Sequence, residues 1–196
     1  MFEPIYATPT EAEALEARGL VKQHVVARLT NFVPAETPVE IRMAENQDID
    51  DLVRLELEFE EHLRQPPISA EFESETEDEM HEGFREQLQL PNFVTLVAIE
   101  NGQIIGMAYA CSTEYSKLHS GERRPPNSAT FAKAIVEKDR RRNGIGLALA
   151  TETIRAIHEL GFETIVSDWR LANVEANRAW AKLGFAPTWY RMVTPD

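Results

Sequence analysis

The sequence is poor in cysteine, in long apolar runs and in positive charge, and each shortage closes off a class of protein. A single cysteine, Cys111, excludes an intramolecular disulfide framework. No stretch of apolar residues reaches the length of a membrane-spanning helix. The opening residues Met1-Phe2-Glu3-Pro4 lack the basic start and apolar run of a secretory signal. Only 20 Lys and Arg stand against 33 Asp and Glu, a formal net charge of −13. That balance argues against nonspecific binding to nucleic acid or to an anionic membrane. The histidines His24, His62, His81, His119 and His158 follow no metal-ligand spacing and have no cysteine partner, so no metal is expected. The expectation is a soluble cytoplasmic protein.

What is present is material for a packed globule. Apolar residues make up 43% of the 196 residues, enough for one well-cored domain with an extension. Residues 1–38 read as an N-terminal helical extension. In it, Thr8 or Thr10 caps a helix through Arg18 that Gly19 stops. A second helix, Leu20 to Leu29, has Val21, Val25 and Leu29 on one stripe. Packing against the main body is the ordinary role of such an arm, and homodimerisation is the other. Pro34 and Pro38 then mark a linker.

The main domain spans 39–196. Val39 to Met43 reads as a strand, and Asn46 or Asp48 caps a helix over Ile49 to Leu63 that Pro66-Pro67 ends. An acidic stretch from Glu71 to Glu82 leads into a helix through Gln89. Phe93 to Ile99 and Ile104 to Cys111 are strands joined by the hairpin turn Asn101-Gly102. After a polar loop, Ala129 to Glu137 is a strand, followed by a glycine turn and a helix stopped by Gly161. Phe162 to Trp169 is a strand, Asn173 to Leu183 a helix closed by Gly184, and Phe185 to Val193 the last strand. This order predicts an α/β fold with a mixed, mostly antiparallel sheet flanked by helices.

The glycine turn carries chemistry. Gly144 and Gly146 stand between an apolar strand and a helix, where glycine lets the backbone open and an anion approach. The first N–H groups of a helix have no intrahelical acceptor, and the helix dipole adds positive potential there. Arg140, Arg141 and Arg142 stand beside this anion site. The run lacks the Lys-Ser/Thr ending of a nucleotide-binding P-loop and the third glycine of a dinucleotide fingerprint.

The run Ala134-Ile135-Val136-Glu137-Lys138-Asp139-Arg140-Arg141-Arg142-Asn143-Gly144-Ile145-Gly146 resembles the acyl-CoA signature of the GCN5-related N-acetyltransferase (GNAT) superfamily, a strand followed by Arg/Gln-x-x-Gly-x-Gly/Ala and a helix. The segment from Asn173 to Phe185 is similar to the family's second block, Asn-x-x-Ala followed by Tyr-x-x-x-Gly-Phe. The resemblance covers about residues 39–193 in element order and 129–187 in specific motifs. It implies acetyl-CoA as co-substrate and a small primary amine or amino-acid-like acceptor that attacks the thioester directly. It implies that main-chain groups around Val136 pair with the pantetheine arm and polarise the acyl carbonyl. Arg141, Arg142, Asn143, Gly144, Ile145 and Gly146 would hold the pyrophosphate, mainly through main-chain N–H groups. Asn173 would contact the arm or cap its own helix.

Two positions depart from the family pattern. Trp180 stands where a tyrosine commonly protonates the leaving thiolate, and an indole N–H cannot give up its proton near neutral pH. Trp180 is left to pack beside CoA or in the core. Strand alternation puts Thr130, Ala132 and Ala134 toward the site, none of them a base, and puts Lys133 on the other face as a solvated or snorkelling lysine. Glu100, Glu114, His119 and Asp168 remain as candidate bases, acting directly or through water. These departures leave a non-catalytic acyl-CoA-binding sensor or assembly module as the alternative function. On the acceptor side, Glu56, Glu60, Glu61, Glu71 and Glu73 offer an acidic lining for a cationic amine, and Tyr109, Tyr115, Trp189 and Tyr190 an aromatic one. Cys111 reads as a buried, inert thiol.

Overall fold

A computed structural model describes residues 5–36, 39–116 and 124–195. The chain opens with strand β1 (Ile5–Ala7) and helix α1 (Pro9–Glu16). Thr8 caps α1 in a capping box with Glu11, whose Oε2 accepts from the Thr8 main-chain N–H at 2.9 Å. Strand β2 (Val21–Leu29) follows where a second helix was expected. The reason for that difference lies in the spacing. Residues four apart share a face of a helix, but four is also even, so Val21, Val25 and Leu29 share a face of a strand as well. Val25, Val26 and Ala27 are all buried, so both faces of this segment are covered, as suits a central strand and not an amphipathic surface helix.

The remaining elements follow the expected order. Strand β3 (Glu40–Met43) leads to α2 (Ile49–Arg64), which buries Ile49, Leu52, Val53 and Leu55. Helix α3 (Glu77–Gln87) is opened by a second capping box, Thr76 with Glu79. Strands β4 (Phe93–Glu100) and β5 (Gln103–Ser112) form a hairpin. Its turn has positive φ at Asn101 and Gly102, the signature of a type I′ connection. Strand β6 (Ser128–Val136), helix α4 (Ile145–Glu159), strand β7 (Thr164–Arg170), helix α5 (Val174–Leu183) and strand β8 (Phe185–Val193) complete the chain.

All eight strands join one sheet in the order β1-β8-β2-β7-β6-β5-β4-β3. Every neighbouring pair is antiparallel except β6 with β7. The N-terminal residues are therefore not a helical arm laid on a finished domain: β2 is hydrogen-bonded to β7 on one side and β8 on the other, inside the sheet. The segment after it also docks. Thr30 and Asn31 donate to the Gly184 carbonyl at 3.0 and 3.3 Å, Val33 donates to Leu183, and Ala35 donates to Thr151 Oγ1 at 2.9 Å.

Helices cover both faces. On one, α2 and α3 bury Leu52, Leu55, Met80 and Phe84 against Val97, Met107 and Ile135. On the other, α4 and α5 pack Leu149, Ile154, Trp180 and Leu183 against Val25, Leu96, Ala108 and Phe131. Among the described residues, no helix is long and apolar enough to cross a membrane.

Candidate functional site

The site begins where two strands part. Strand β6 pairs with β7 only over Ser128–Thr130 against Thr164–Val166. Beyond that, β6 runs on to Val136 and β7 to Arg170, with β7 held instead by β2. A bulge promotes the divergence: Tyr109 pairs with Lys133 but Ala110 with Phe131, so Ala132 is an extra residue that bends β6. Ser167 Oγ donates to the Phe131 carbonyl at 2.9 Å near the base of this fork. Among the described residues the β6 edge along the opening has no strand partner, so an extended chain can pair with it.

Trp180 of α5 bridges the two diverging strands. Its ring lies 4.8 Å from Phe131 on β6, 6.0 Å from Trp169 on β7 and 5.3 Å from Phe185. It is 8% exposed, a core aromatic at the base of the fork. Asn177, which the sequence reading passed over, fixes Trp169 by accepting its indole N–H at 2.6 Å while donating to the Leu171 carbonyl at 2.8 Å. Asn173 caps α5, its Oδ1 accepting from the Ala176 N–H at 3.0 Å. Of its two expected roles, the cap is the one its side chain fills.

The far end of β6 runs into the glycine turn. Arg142 and Gly144 both have positive φ, and Gly144 is the N-cap of α4. The N–H groups of Ile145, Gly146 and Leu147 form the first turn of that helix, where no intrahelical acceptor is available. A Cβ on Gly146 would touch Val136 Cγ2 at 3.5 Å, so the helix start lies directly beside the strand end. Gly144, by contrast, faces open space, so its left-handed backbone is what calls for glycine there.

The arginines differ in their partners. Arg140 pairs with Glu100 at 3.2 Å, which occupies one of the candidate bases. Arg141 folds back: its Nε donates to the Val136 carbonyl at 2.9 Å, and its other nitrogens reach Glu58 and His62 Nδ1, each at 3.4 Å. Glu58 also accepts from the Lys138 main-chain N–H at 2.7 Å, and Arg54 pairs with Glu137 at 2.6 Å. Arg54, Glu58 and His62 thus form one polar stripe of α2 laid along the turn. Their spacing of four was legible in the sequence, but nothing there told what the stripe faced. Burial, followed by the Arg141 charge, lowers the His62 pKa. Arg142 is exposed, with no ion pair among the described residues.

The bulge changes the strand phase before Ala132, so that Phe131 joins the α4–α5 side with Ala134 and Val136, while Lys133 keeps the α2–α3 side that Ile135 shares. Lys133 does not point to solvent; it lies on the α2–α3 side, in an ion pair with Glu56 and against the rings of Phe59 (4.9 Å) and Tyr109 (5.6 Å). Burial opposes its charge, but Tyr109 and Glu56 outweigh burial and raise its pKa. Burial likewise pushes the Tyr109 phenol up. Lys133, Glu56 and Tyr109 line a cavity of about 400 Å³ together with Glu60, Glu73 and Glu75. Of the expected acidic set, Glu61 and Glu71 are not in its lining, and Glu75 joins it; of the expected aromatics, only Tyr109 does.

The remaining candidates are scattered. Asp168 faces Val26 across β7 and β2, and burial pushes its carboxyl up to about 6. Glu114 is exposed in the short turn after β5. His119 lies outside the described residues. Cys111 is buried, and burial pushes its thiol up to about 12, far from the thiolate a nucleophile needs.

Comparison with known proteins meets this geometry. The family model described as "Acetyltransferase (GNAT) family" matches residues 56–185. Among solved structures, the chain is similar to the aminoglycoside N-acetyltransferase AAC(6')-Iy in complex with CoA, at 20% identity and a TM-score of 0.59, over 80% of this chain and 93% of that one. It is similar to a GNAT-family acetyltransferase from Colwellia psychrerythraea at 11% identity and a TM-score of 0.64, over 96% of this chain and 63% of that one. It is also similar to the aminoglycoside antibiotic 6'-N-acetyltransferase AAC(6')-Ih from Acinetobacter baumannii, at 20% identity and a TM-score of 0.57, over 76% and 92% respectively. At such identities the likeness is one of fold. No curated protein matches the chain.

Proposed function

The chain belongs to the acetyltransferase (GNAT) family, and from that premise we propose that it transfers the acetyl group of acetyl-CoA to a primary amine of a small-molecule or amino-acid-like acceptor. The observation that carries this reading is the fork between β6 and β7 ending at the α4 N-terminus. An unpaired strand edge suits the amide-bearing pantetheine arm. A helix start with left-handed Gly144 suits the pyrophosphate that terminates it. Main-chain groups around Val136 bind the arm, and an N–H there polarises the acyl carbonyl as negative charge develops on its oxygen. The main chain from Arg141 to Gly146 holds the pyrophosphate. The Arg141 side chain, engaged with Val136, Glu58 and His62, braces the turn.

The amine nitrogen attacks the thioester carbon, the C–S bond breaks, and the products are an amide and free CoA. Trp180, packed among Phe131, Trp169 and Phe185, shapes the floor of the fork and supplies no proton. The CoA thiolate is a tolerable leaving group, and water or the acceptor supplies its proton. The aminoglycoside acetyltransferases among the similar structures are consistent with an amine acceptor and do not identify it. The test is incubation with acetyl-CoA and a panel of amines while free thiol is followed. Acceptor-dependent thiol release is expected. Tight CoA binding without turnover across a broad panel would favour a binding module, and absence of CoA binding by calorimetry would sink both readings.

A further inference from the structure

The core beneath α2 and α3 draws its sheet residues from β4, β5 and β6 and goes no further across the sheet. On β2, Val25 and Ala27 belong to the opposite core, so His24 points to the α2–α3 side, beyond the end of that core. Residues directly opposite each other in a ladder share a face. His24 is opposite Arg170 on β7 and opposite Arg191 on β8, which sets Arg170, His24 and Arg191 in one row across three strands. All three are half-buried. Neighbouring strands lie about 4.8 Å apart, so the two long arginine side chains can converge above His24.

This row is not balanced from within the protein. Arg170 and Arg191 have no ion pair and no side-chain hydrogen bond among the described residues. Burial, then the Arg191 charge, lowers the Arg170 pKa, and Glu71 offsets the two only in part. Burial and both arginines keep His24 neutral, so its ring offers one N–H. Asp168 shares the face, across from Val26, and is ion-paired with neither arginine. Arg191 Nε is enclosed and meets no acceptor, which leaves the outer nitrogens of that guanidinium to meet one. In a chain of net charge −13, two half-buried arginines set against each other with no carboxylate between them are unfavourable. An anion on the row relieves both the repulsion and the unmet donors.

We infer that the row Arg170–His24–Arg191 holds a carboxylate, and that the acceptor is an amine carrying one. The second half rests on the proposed transfer reaction; the anion site itself stands on the row. Arg170 lies on the strand that bounds the fork, beyond Val166, the last β7 residue paired with β6. A carboxylate above His24 is one strand spacing, about 4.8 Å, from that edge. A short aliphatic chain then spans from the carboxylate to an amine at the thioester. Two guanidinium groups suit this ligand better than lysines would, because their planar forks match a carboxylate.

Calorimetric titration with 4-aminobutanoate and with butylamine tests this, since the two differ only in ending on a carboxylate or a methyl group. Wild type is expected to bind 4-aminobutanoate about ten- to hundredfold more tightly, the factor that a charge-assisted hydrogen bond supplies. Arg170→Gln and Arg191→Gln should each remove about tenfold of that preference and leave butylamine unchanged. Arg170→Gln should also keep the wild-type melting temperature, because it removes one of two repelling charges; it carries the test alone should Arg191→Gln melt early. Acetate should bind more weakly than 4-aminobutanoate, and equal binding would mark a site for free anions and overturn the acceptor assignment. Equal affinities for 4-aminobutanoate and butylamine, or a preference unchanged in Arg170→Gln, would overturn the inference. Thiol release from acetyl-CoA with the same amines separates the two readings. Arginine-dependent binding of 4-aminobutanoate without transfer from any amine defeats the proposed reaction and leaves the anion site standing; transfer without carboxylate preference does the reverse.

Discussion

Gly184 meets two demands at one residue. Its φ is +98°, and a Cβ built on it would lie 1.7 Å from the Asn31 carbonyl oxygen, which is main chain and cannot swing away. Gly184→Ala is expected to cost more than about 3 kcal/mol, read as a lowered denaturation midpoint with unchanged slope. A shift of less than about 0.5 kcal/mol would show the contact to be soft. Gly144 has the same left-handed backbone but open space around it. There Gly144→Glu should cost about 1–2 kcal/mol of left-handed backbone strain, keep the fold, and abolish CoA binding, since a side chain and a like charge would enter the pyrophosphate site. Unchanged CoA affinity by calorimetry would refute that placement. Two half-buried titratable groups predict opposite pH trends. Burial, then Arg170 and Arg191, push His24 from 6.5 down to about 4. The unfolded chain binds that proton first, so stability is full above pH 6.5 and is lost as pH falls toward 4. Asp168, pushed by burial from 3.8 up to about 6, penalises the fold as pH rises through that interval. Urea melts from pH 4 to 7 should show His24→Asn removing the acid-side loss and Asp168→Asn raising stability above pH 6.

At the scale of elements, β2 is the piece that redefines the molecule. It donates and accepts along both edges, and the segment behind it satisfies carbonyls at the end of α5. Removing residues 1–36 would leave β7 and β8 with facing unpaired edges and strip Val25 and Ala27 from the core. The truncated chain is expected to aggregate or to lose its near-ultraviolet circular dichroism. A soluble fragment 37–196 with a near-native melting temperature would mean that β2 is dispensable. The β6 bulge acts at the same scale: one extra residue at Ala132 puts Phe131 on the α4–α5 side while Lys133 and Ile135 hold the α2–α3 side, and it lies where β6 parts from β7.

For the whole molecule, the formal charge of −13 sets how charged ligands arrive. It attracts a cationic acceptor and opposes an anionic ligand such as CoA, and salt screens both effects over a Debye length of about 8–10 Å. Raising ionic strength from low to physiological should therefore slow association of a cationic amine and speed that of CoA. Stopped-flow rates moving in the same direction for both would place local charges, such as Arg142 beside the turn, above the global field.

The sequence alone determined the features that depend on neighbours along the chain. The glycine turn between β6 and α4, the Asn101-Gly102 hairpin, the amphipathic α2 and the boundaries of β8 are all local in origin, and two motifs in order carried the family resemblance. Tertiary structure decided what depends on a partner far away in sequence. Val21, Val25 and Leu29 fit helix and strand alike until β7 and β8 offered edges to pair with. Phe131 took its side from a bulge that appears only in register with β5. Glu56 meets Lys133 across 77 positions of chain. The glycine turn was visible from the start as a place for an anion; the parted strands that give it a use exist only once the sheet has formed.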